Sequence, residues 1–167
     1  TFIKHLNALF TPSSGKVTVA GLDTKLTDTH RQIRSLVGMV FQNPADQIVA
    51  STVEEDIAFG LENQNLETAA IRHRVDEQLE AAGLTGERER PPHLLSGGQV
   101  QKLALAGVLA RHPRIILFDE PTSMLDPLTR NAFLQRICRL HRAGKTILYV
   151  THHMEEAVHA DRILVFH

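Results

Sequence analysis

Short runs of consecutive apolar residues restrict the fold of this sequence more than any other feature. Val37–Phe41 and Ile115–Phe118 have the composition of strands that are buried on both faces, which occur mainly in parallel sheets. Thr146–Val150 and Ile163–Phe166 are two further apolar runs of this kind, and segments with helical spacing separate several of the runs. Strands that alternate with helices predict an α/β fold with a parallel sheet.

Local signals predict the helices and turns between these runs. Thr52 and Glu55 have the spacing of a capping box, and Gly83 is placed to end the helix before it. The other predicted elements are an edge or hairpin strand at Gly15–Gly21 and helices at Arg31–Ser35, Ala69–Ala82, Pro127–Arg142 and Met154–Val158. Since residues 52–106 show only helical patterns, we predict a helical subdomain at 51–106, inserted into an α/β core formed by 1–50 and 107–167.

One of the predicted helices opens with the string Leu95-Ser96-Gly97-Gly98-Gln99. Glycines let an anion approach the backbone closely, and the N-terminus of a helix supplies unpaired N–H groups and the positive end of the helix dipole. This pattern predicts a backbone anion site, with a plain loop as the alternative.

Polar residues follow three of the predicted strands: Gln42, the pair Asp119-Glu120, and His152, which has His153 beside it as an alternative. Open α/β sheets bind their ligands at the carboxyl ends of the strands. Adjacent acids at such a place can divide the work, one holding Mg²⁺ and the other polarising an attacking water molecule. We therefore expect a catalytic site at this edge of the sheet.

These motifs, in this order, resemble those of ATP-binding-cassette (ABC) ATPases. Leu95–Gln99 resembles the signature motif, Asp119-Glu120 the Walker B pair, and Gln42 the Q-loop glutamine. Ser123-Met124-Leu125-Asp126 resembles the D-loop, and His152 the switch histidine of the family. The resemblance implies a P-loop NTPase (RecA-like) parallel-sheet core with an inserted ABC helical subdomain.

The resemblance also implies a mechanism, which is Mg²⁺-dependent ATP hydrolysis at a head-to-tail dimer. In that mechanism Glu120 is the catalytic base, His152 contacts the γ-phosphate, and Asp119 and Gln42 manage Mg²⁺. Ser96, Gly97, Gly98 and Gln99 close over the ATP that the other subunit holds, and Asp126 lies at the seam of the dimer. Asp126 is equally a candidate N-cap for the helix that begins with Pro127.

The family's Walker A loop, Gly-x-x-Gly-x-Gly-Lys-Ser-Thr, does not occur in this sequence. The residues after Thr1 resemble the helix that follows that loop, so Thr1 would be the last residue of the motif and part of the nucleotide site. Both ends of the chain fall within predicted elements, and we expect a fragment, truncated at both ends, that is itself inactive.

Within the family, Phe41–Ala50, Thr52–Asn63 and Ser123–Pro127 are similar to the ATPases of energy-coupling factor transporters, which take up vitamins or cobalt and nickel. The resemblance implies a transmembrane partner that docks near Gln42–Asn63, where Ile48 and Val49 are expected to be exposed. It also implies a second ATPase subunit, in a homo- or heterodimer, and a peripheral position on the cytoplasmic face of the membrane.

Composition agrees with this interpretation but leaves alternatives open. The net charge of −1 provides no general attraction for nucleic acid, and no apolar run approaches the ~20 residues of a membrane span. The single cysteine, Cys138, excludes a disulfide framework and fits a reducing compartment. The alternatives are a soluble ABC ATPase acting on nucleic acid or ribosomes, and a binding module that does not hydrolyse ATP.

Overall fold

The computed structural model describes residues 2–62, 64 and 66–166. The strands are β1 (Thr18–Val19), β2 (Leu22–Asp23), β3 (Val37–Val40), β4 (Ile115–Asp119) and β5 (Thr146–Val150). The α-helices are α1 (His30–Leu36), α2 (Val53–Glu62), α3 (Thr68–Ala82), α4 (Gly97–Ala110), α5 (Pro127–Arg142) and α6 (Met154–Ala157). Short 3₁₀ turns occupy Phe2–His5, Thr27–Thr29, Pro44–Gln47, Thr85–Glu87 and Pro92–Leu94. Among the described residues, no helix is both long enough and apolar enough to cross a bilayer.

The main sheet has the order β3-β4-β5, and its strands are all parallel. Strand β4 lies in the centre, and its two faces meet different sets of apolar residues. Leu117 packs with Val37 and Met39 on one face, whereas Ile116 and Phe118 pack with helices α4 and α5 on the other. This burial on both faces confirms the parallel sheet that the apolar runs predict.

The strand predicted at Gly15–Gly21 is found only over β1, which pairs antiparallel with β2 in a hairpin. Its two-residue turn consists of Ala20 and Gly21, both in the left-handed region with φ of 51° and 83°. Two left-handed residues are the requirement of a type I′ turn, whose twist matches that of the flanking strands.

Helices α2, α3 and α4 enclose a further apolar cluster, which is distinct from the two clusters on the faces of the sheet. The capping box before α2 is present, with Glu55 N–H donating to Thr52 Oγ1 at 3.3 Å and Thr52 N–H donating to Glu55 Oε2 at 3.1 Å. Gly83 ends α3 with a φ of 66°. Helix α4 contributes to this helical cluster through Leu103 and to one of the clusters on the sheet through Leu105. The boundary between core and subdomain therefore stays a prediction.

One predicted strand is wrong. Ile163–Phe166 forms no strand, and its four side chains are 59% to 71% exposed. An apolar run alone does not make a strand, because a strand needs a neighbour to accept its backbone hydrogen bonds. Among the described residues, no ladder joins this segment to β5.

Candidate active site

The parallel sheet brings three of the predicted site residues together at one edge. Val40 pairs with Phe118, and Asp119 pairs with Val150, so the residues that follow these strands emerge side by side. Gln42 Nε2 donates a hydrogen bond to Glu120 Oε2 at 3.1 Å. His152 Nδ1 lies 3.3 Å from the same oxygen. One carboxylate oxygen of Glu120 is thus contacted by the Gln42 amide, which follows β3, and by the His152 imidazole, which follows β5.

The backbone at Glu120 explains why its carboxylate points along this edge. Glu120 has a φ of 46°, a left-handed conformation that is uncommon for a residue with a side chain. Its N–H donates to Val150 O at 3.0 Å, and its carbonyl accepts from Ser123 N–H at 3.2 Å. The chain therefore turns sharply at Glu120, and the side chain remains 30% exposed. Outliers of this kind concentrate at functional sites.

Of the two adjacent histidines, His152 is the one that faces Glu120. The rings of His152 and His153 lie 4.2 Å apart, and the His153 N–H donates to Thr151 Oγ1 at 2.9 Å. The His152 side chain is 60% exposed and therefore accessible to a ligand as well as to Glu120.

Asp119 and Gln42 line a cleft of about 340 Å³ beside this cluster. The cleft is also lined by Lys4, Phe41, Asn43 and Asp46. Mg²⁺ takes oxygen ligands, usually one or two carboxylates together with waters and substrate phosphates. The Asp119 carboxylate and the Gln42 amide oxygen are donors of this kind, while Lys4 adds a positive charge. Within the described residues, no group of three or more His, Cys, Asp and Glu side chains is placed to hold a metal ion.

The Ser96–Gln99 loop is built by reciprocal capping at the start of α4. Gln99 N–H donates to Ser96 Oγ at 3.4 Å, and Ser96 N–H donates to Gln99 Oε1 at 2.9 Å. A Cβ added to Gly97 would meet no atom within 4 Å, and one added to Gly98 would lie 3.4 Å from Thr129 Cγ2. The polar side chains of this loop therefore secure the helix, and the backbone at Gly97 borders open space.

Asp126 caps α5, as one of the two alternatives predicted. Its Oδ1 accepts from Leu128 N–H at 3.0 Å and from Thr129 N–H at 3.1 Å. Hydrogen bonds from Thr129, followed by the one from Leu128, hold the pKa of Asp126 below its usual value. Since Thr129 also approaches Gly98, the N-termini of α4 and α5 lie next to each other.

The predicted site residues therefore form two groups. Gln42, Asp119, Glu120 and His152 gather at the edge of the sheet, and Ser96–Gln99 lies with Asp126 at the two helix ends. The contacts of Glu120 with Gln42 and His152, and the hydrogen bonds of Asp126 with Leu128 and Thr129, stay within their own group. Thr1, and Asn63 at the end of the predicted docking segment, lie outside the described residues.

Several residues that support these groups were not predicted. Glu87 Oε1 accepts from Gln99 Nε2 at 3.1 Å, and Arg90 hydrogen-bonds to the other oxygen and lowers the pKa of Glu87. Gln47 Oε1 accepts from Phe41 N–H at 3.3 Å and so secures the end of β3. These contacts depend on how the fold brings the residues together. In the sequence, the one available signal was the charged character of residues 87–90.

Of the two residues expected to be exposed in the predicted docking segment, Val49 is exposed and Ile48 is not. Val49 and Phe59 are 63% and 54% exposed. Ile48, in contrast, is only partly exposed and packs against the apolar cluster of α2, α3 and α4. The expectation of an exposed Ile48 is wrong, because the turn that ends at Gln47 directs that side chain inward.

Residues 1–123 match the model of the ABC transporter family, and the chain belongs to this family. Two groups of polar residues at the sheet edge and at a glycine-rich helix start, on a parallel α/β core, agree with that membership.

Among curated relatives, the chain is 55% identical to the energy-coupling factor transporter ATP-binding protein EcfA1 of Symbiobacterium thermophilum. That match covers 99% of the chain and 58% of the relative. The chain is 51% identical to the cobalt import ATP-binding protein CbiO of Syntrophus aciditrophicus, over 99% of the chain and 59% of the relative. The chain thus spans less than two thirds of the length of these relatives.

Two solved structures share the fold. CbiO1 from Clostridium perfringens, part of the ABC transporter complex CbiONQ, matches with a TM-score of 0.85 and 31% identity over 96% of this chain and 65% of that one. The ATP-binding cassette MJ0796, a dimer in a post-hydrolysis state bound to ADP and Pi, matches with a TM-score of 0.84 and 31% identity over 96% of this chain and 72% of that one. These matches confirm the predicted ABC-type α/β fold.

Proposed function

We propose that the protein containing this chain hydrolyses ATP to power a membrane importer of the energy-coupling factor type. The observation that carries the proposal is the Glu120 carboxylate held between the Gln42 amide and the His152 imidazole. The relatives named above, which are energy-coupling factor and cobalt-import ATP-binding proteins, support the choice of importer.

In this proposal Glu120 accepts a proton from the attacking water and orients it toward the γ-phosphate. His152 lies beside the same carboxylate oxygen and is accessible enough to donate a hydrogen bond to a phosphate oxygen. Positioning and electrostatic stabilisation are the main contributions a protein makes to phosphoryl transfer. The left-handed turn at Glu120 serves both, because it fixes where the carboxylate points.

Asp119 and Gln42 fit the requirements of Mg²⁺ through their oxygens, and Mg²⁺ would neutralise the charge that develops on the phosphates. Gln42 Nε2 already donates to Glu120, so its Oε1 is the end of the amide that remains for a metal or a water molecule. Lys4 lines the same cleft and adds to its positive potential. In the same proposal Thr1 contributes to the nucleotide site from the end of the Walker A motif.

The Ser96–Gln99 loop would act on the nucleotide held by a second ATPase subunit. The backbone at Gly97 borders open space at the start of a helix, which is a suitable place for a phosphate. Exposed apolar side chains lie nearby in sequence, with Leu94 at 53%, Met124 at 73% and Leu128 at 82% exposure. Such residues beside Asp126 are suited to burial against another subunit. The MJ0796 relative is itself a dimer.

The exposed Val49 and Phe59 would form the surface on which a transmembrane subunit docks, near Gln42–Asn63. In this proposal the protein lies peripherally on the cytoplasmic face of the membrane. Cross-linking from Val49→Cys in a Cys138→Ser background should reach the membrane subunit, whereas Lys25→Cys on the loop after β2 should not. Salt-sensitive binding to nucleic acid without such a cross-link would instead favour the soluble alternative.

The test of the catalytic proposal is Glu120→Gln in the full-length protein. ATP binding should persist, and turnover should fall by about 10²–10⁴-fold, because general base catalysis is lost while the shape is kept. Glu89→Gln, a change at an exposed glutamate, is the matched control. Turnover near the wild-type rate in Glu120→Gln would remove Glu120 from the proposed role.

A further inference from the structure

A buried carboxylate lies behind the candidate active site. Glu156, on the short helix α6, is only 5% exposed, and three hydroxyl groups surround it. Thr122 Oγ1 donates to Glu156 Oε1 at 2.7 Å. Tyr149 OH and Thr151 Oγ1 donate to Glu156 Oε2 at 2.9 Å and 2.6 Å. A buried carboxylate is tolerated only when its oxygens are satisfied in this way.

Two of the three hydroxyls come from the loops that present Glu120 and His152. Thr122 is two residues beyond Glu120, and Thr151 directly precedes His152. Tyr149 lies on β5, and its ring packs against Phe118 of β4 with centroids 5.9 Å apart. A single carboxylate therefore joins the loop after β4 to the loop after β5.

Thr151 is fixed on both sides by this arrangement. Its hydroxyl donates to Glu156 and accepts from His153 N–H at 2.9 Å, so the turn that contains His152 is held on either side of the imidazole. On the other loop, the Thr122 hydroxyl lies 3.1 Å from Tyr149 OH as well as bonding to Glu156. The separation of the two loops thus depends on the acceptor between them.

The charge of Glu156 is maintained despite its burial. Desolvation raises the pKa of Glu156, but hydrogen bonds from Thr122, Thr151 and Tyr149 outweigh it and leave the pKa below its usual value. Arg130 Nε lies 3.8 Å from Oε1 and has no hydrogen bond of its own. Burial raises the pKa of Tyr149, so its hydroxyl stays protonated and able to donate.

We propose that Glu156 is a positioning residue, which sets the distance between Glu120 and His152 through Thr122 and Thr151. It acts through other residues, since its side chain is too deeply buried to touch a nucleotide. This role rests on the proposed ATPase function, because positioning matters only if Glu120 and His152 act on one ligand.

The test compares Glu156→Gln with Glu155→Gln in the full-length protein. Glutamine keeps the shape but replaces one accepting oxygen with a donor, whereas Glu155 is the exposed neighbour on the same helix. Glu156→Gln should lower kcat by about tenfold, with the KM for ATP within about twofold of wild type, because misplacing a catalytic pair slows chemistry more than it weakens binding. Equal kcat values in the two variants would overturn the proposal.

The effect of Glu156→Gln on kcat in a variant that already lacks His152 distinguishes positioning from a merely structural role. In a His152→Ala background, Glu156→Gln should cause little further loss, because residues that act through one another are not additive. Losses that multiply would contradict the proposal. If Glu156→Gln fails to fold, Thr151→Ser and Thr151→Val carry the test. The serine variant keeps the hydroxyl and should retain clearly more kcat than the valine variant, and equal losses would overturn the proposal.

A spectroscopic measurement distinguishes failure of this proposal from failure of the proposed function. The side-chain amide of Gln42, which donates to Glu120, should give a shifted NMR signal in Glu156→Gln and an unshifted one in Glu155→Gln. An unmoved Gln42 signal in Glu156→Gln would contradict positioning, whether or not the protein hydrolyses ATP. Absence of ATP hydrolysis in the wild type, with the signal shifted as expected, would contradict only the proposed function.

Discussion

The two candidate regions use their polar side chains in opposite ways. At the sheet edge, Gln42 and His152 both direct their side chains at Glu120, so the functional groups contact one another. At the start of α4, Ser96 and Gln99 cap the helix, and the backbone at Gly97 is left bordering open space. The first region is assembled within the chain, whereas the second leaves the backbone at the start of α4 beside open space.

The comparison suggests that glycine can be needed at a position for two different reasons. Where φ is negative, a glycine that packing requires has atoms close to its missing side chain, whereas a glycine that leaves room for a ligand has none. Gly38 on β3 is of the first kind, since an added Cβ would overlap Val108 Cγ1 and lie 3.1 Å from Pro113 Cγ. We propose that Gly97 is of the second kind, since an added Cβ would meet no atom within 4 Å.

Of the two glycine substitutions, Gly97→Ala should have the larger effect on activity. The added methyl group would hold a phosphate away from the helix start, and a displacement of about 1 Å can reduce catalysis by about 10²-fold. Stability should change by less than about 1 kcal/mol, because alanine is the better helix former and meets no neighbour. ATP turnover of the full-length protein, measured with its thermal unfolding, checks both. Normal turnover would mean that nothing binds at Gly97.

Substitution of Gly38 by alanine should give the opposite result. Overpacking between β3 and α4 should lower the free energy of unfolding by about 1–3 kcal/mol. Turnover per folded molecule should change little at temperatures where the variant remains folded, because Gly38 lies inside the sheet. Chemical denaturation measures the loss, and a variant as stable as wild type would show that α4 does not press on β3 as described.

Asp56 extends the comparison to a polar group that serves only the fold. Its Oδ1 accepts from Val49 N–H at 2.9 Å and Ala50 N–H at 3.2 Å. Burial raises the pKa of Asp56, despite these two donors. The stabilising contribution of its neutral form is therefore complete below the ordinary pKa of an aspartate and is lost as the pH rises through the raised value.

Asp56→Asn should accordingly stabilise the protein slightly at neutral pH, by less than about 1 kcal/mol, since the amide oxygen can still accept both hydrogen bonds. The gain should shrink as the pH falls through the raised pKa of Asp56, because the wild-type side chain then becomes neutral as well. Thermal unfolding across this pH range measures the effect, with the exposed Asp28→Asn as control. A destabilised Asp56→Asn at pH 7 would show that the negative charge is needed.

Sequence signals that act over a few residues predicted most of the elements. The capping box at Thr52, the left-handed Gly83 and the apolar runs that become β3, β4 and β5 are of this kind. Gln42, Asp119, Glu120 and His152 could be proposed as a group because parallel strands end at one edge. Their catalytic roles remain predictions.

What could not be predicted depends on partners distant in the chain. Glu156 and Thr122 are hydrogen-bonded across 34 positions, and no local pattern marks that pair. Ile163–Phe166 shows the reverse case, in which a local strand pattern has no neighbouring strand to pair with among the described residues. A short-range pattern identifies an element, but the contacts between elements decide whether it forms and which polar groups meet.

The central claim is that the two regions act on one nucleotide from different subunits. It can be tested in a covalent tandem of two full-length copies that carries Glu120→Gln and Ser96→Arg. With the two substitutions in different copies, one site stays intact, and about half of the wild-type ATPase rate should remain if the two symmetry-related sites act independently. With both substitutions in the same copy, neither site is intact, and the rate should fall to background. The reverse result, activity only when both substitutions share a copy, would contradict the account.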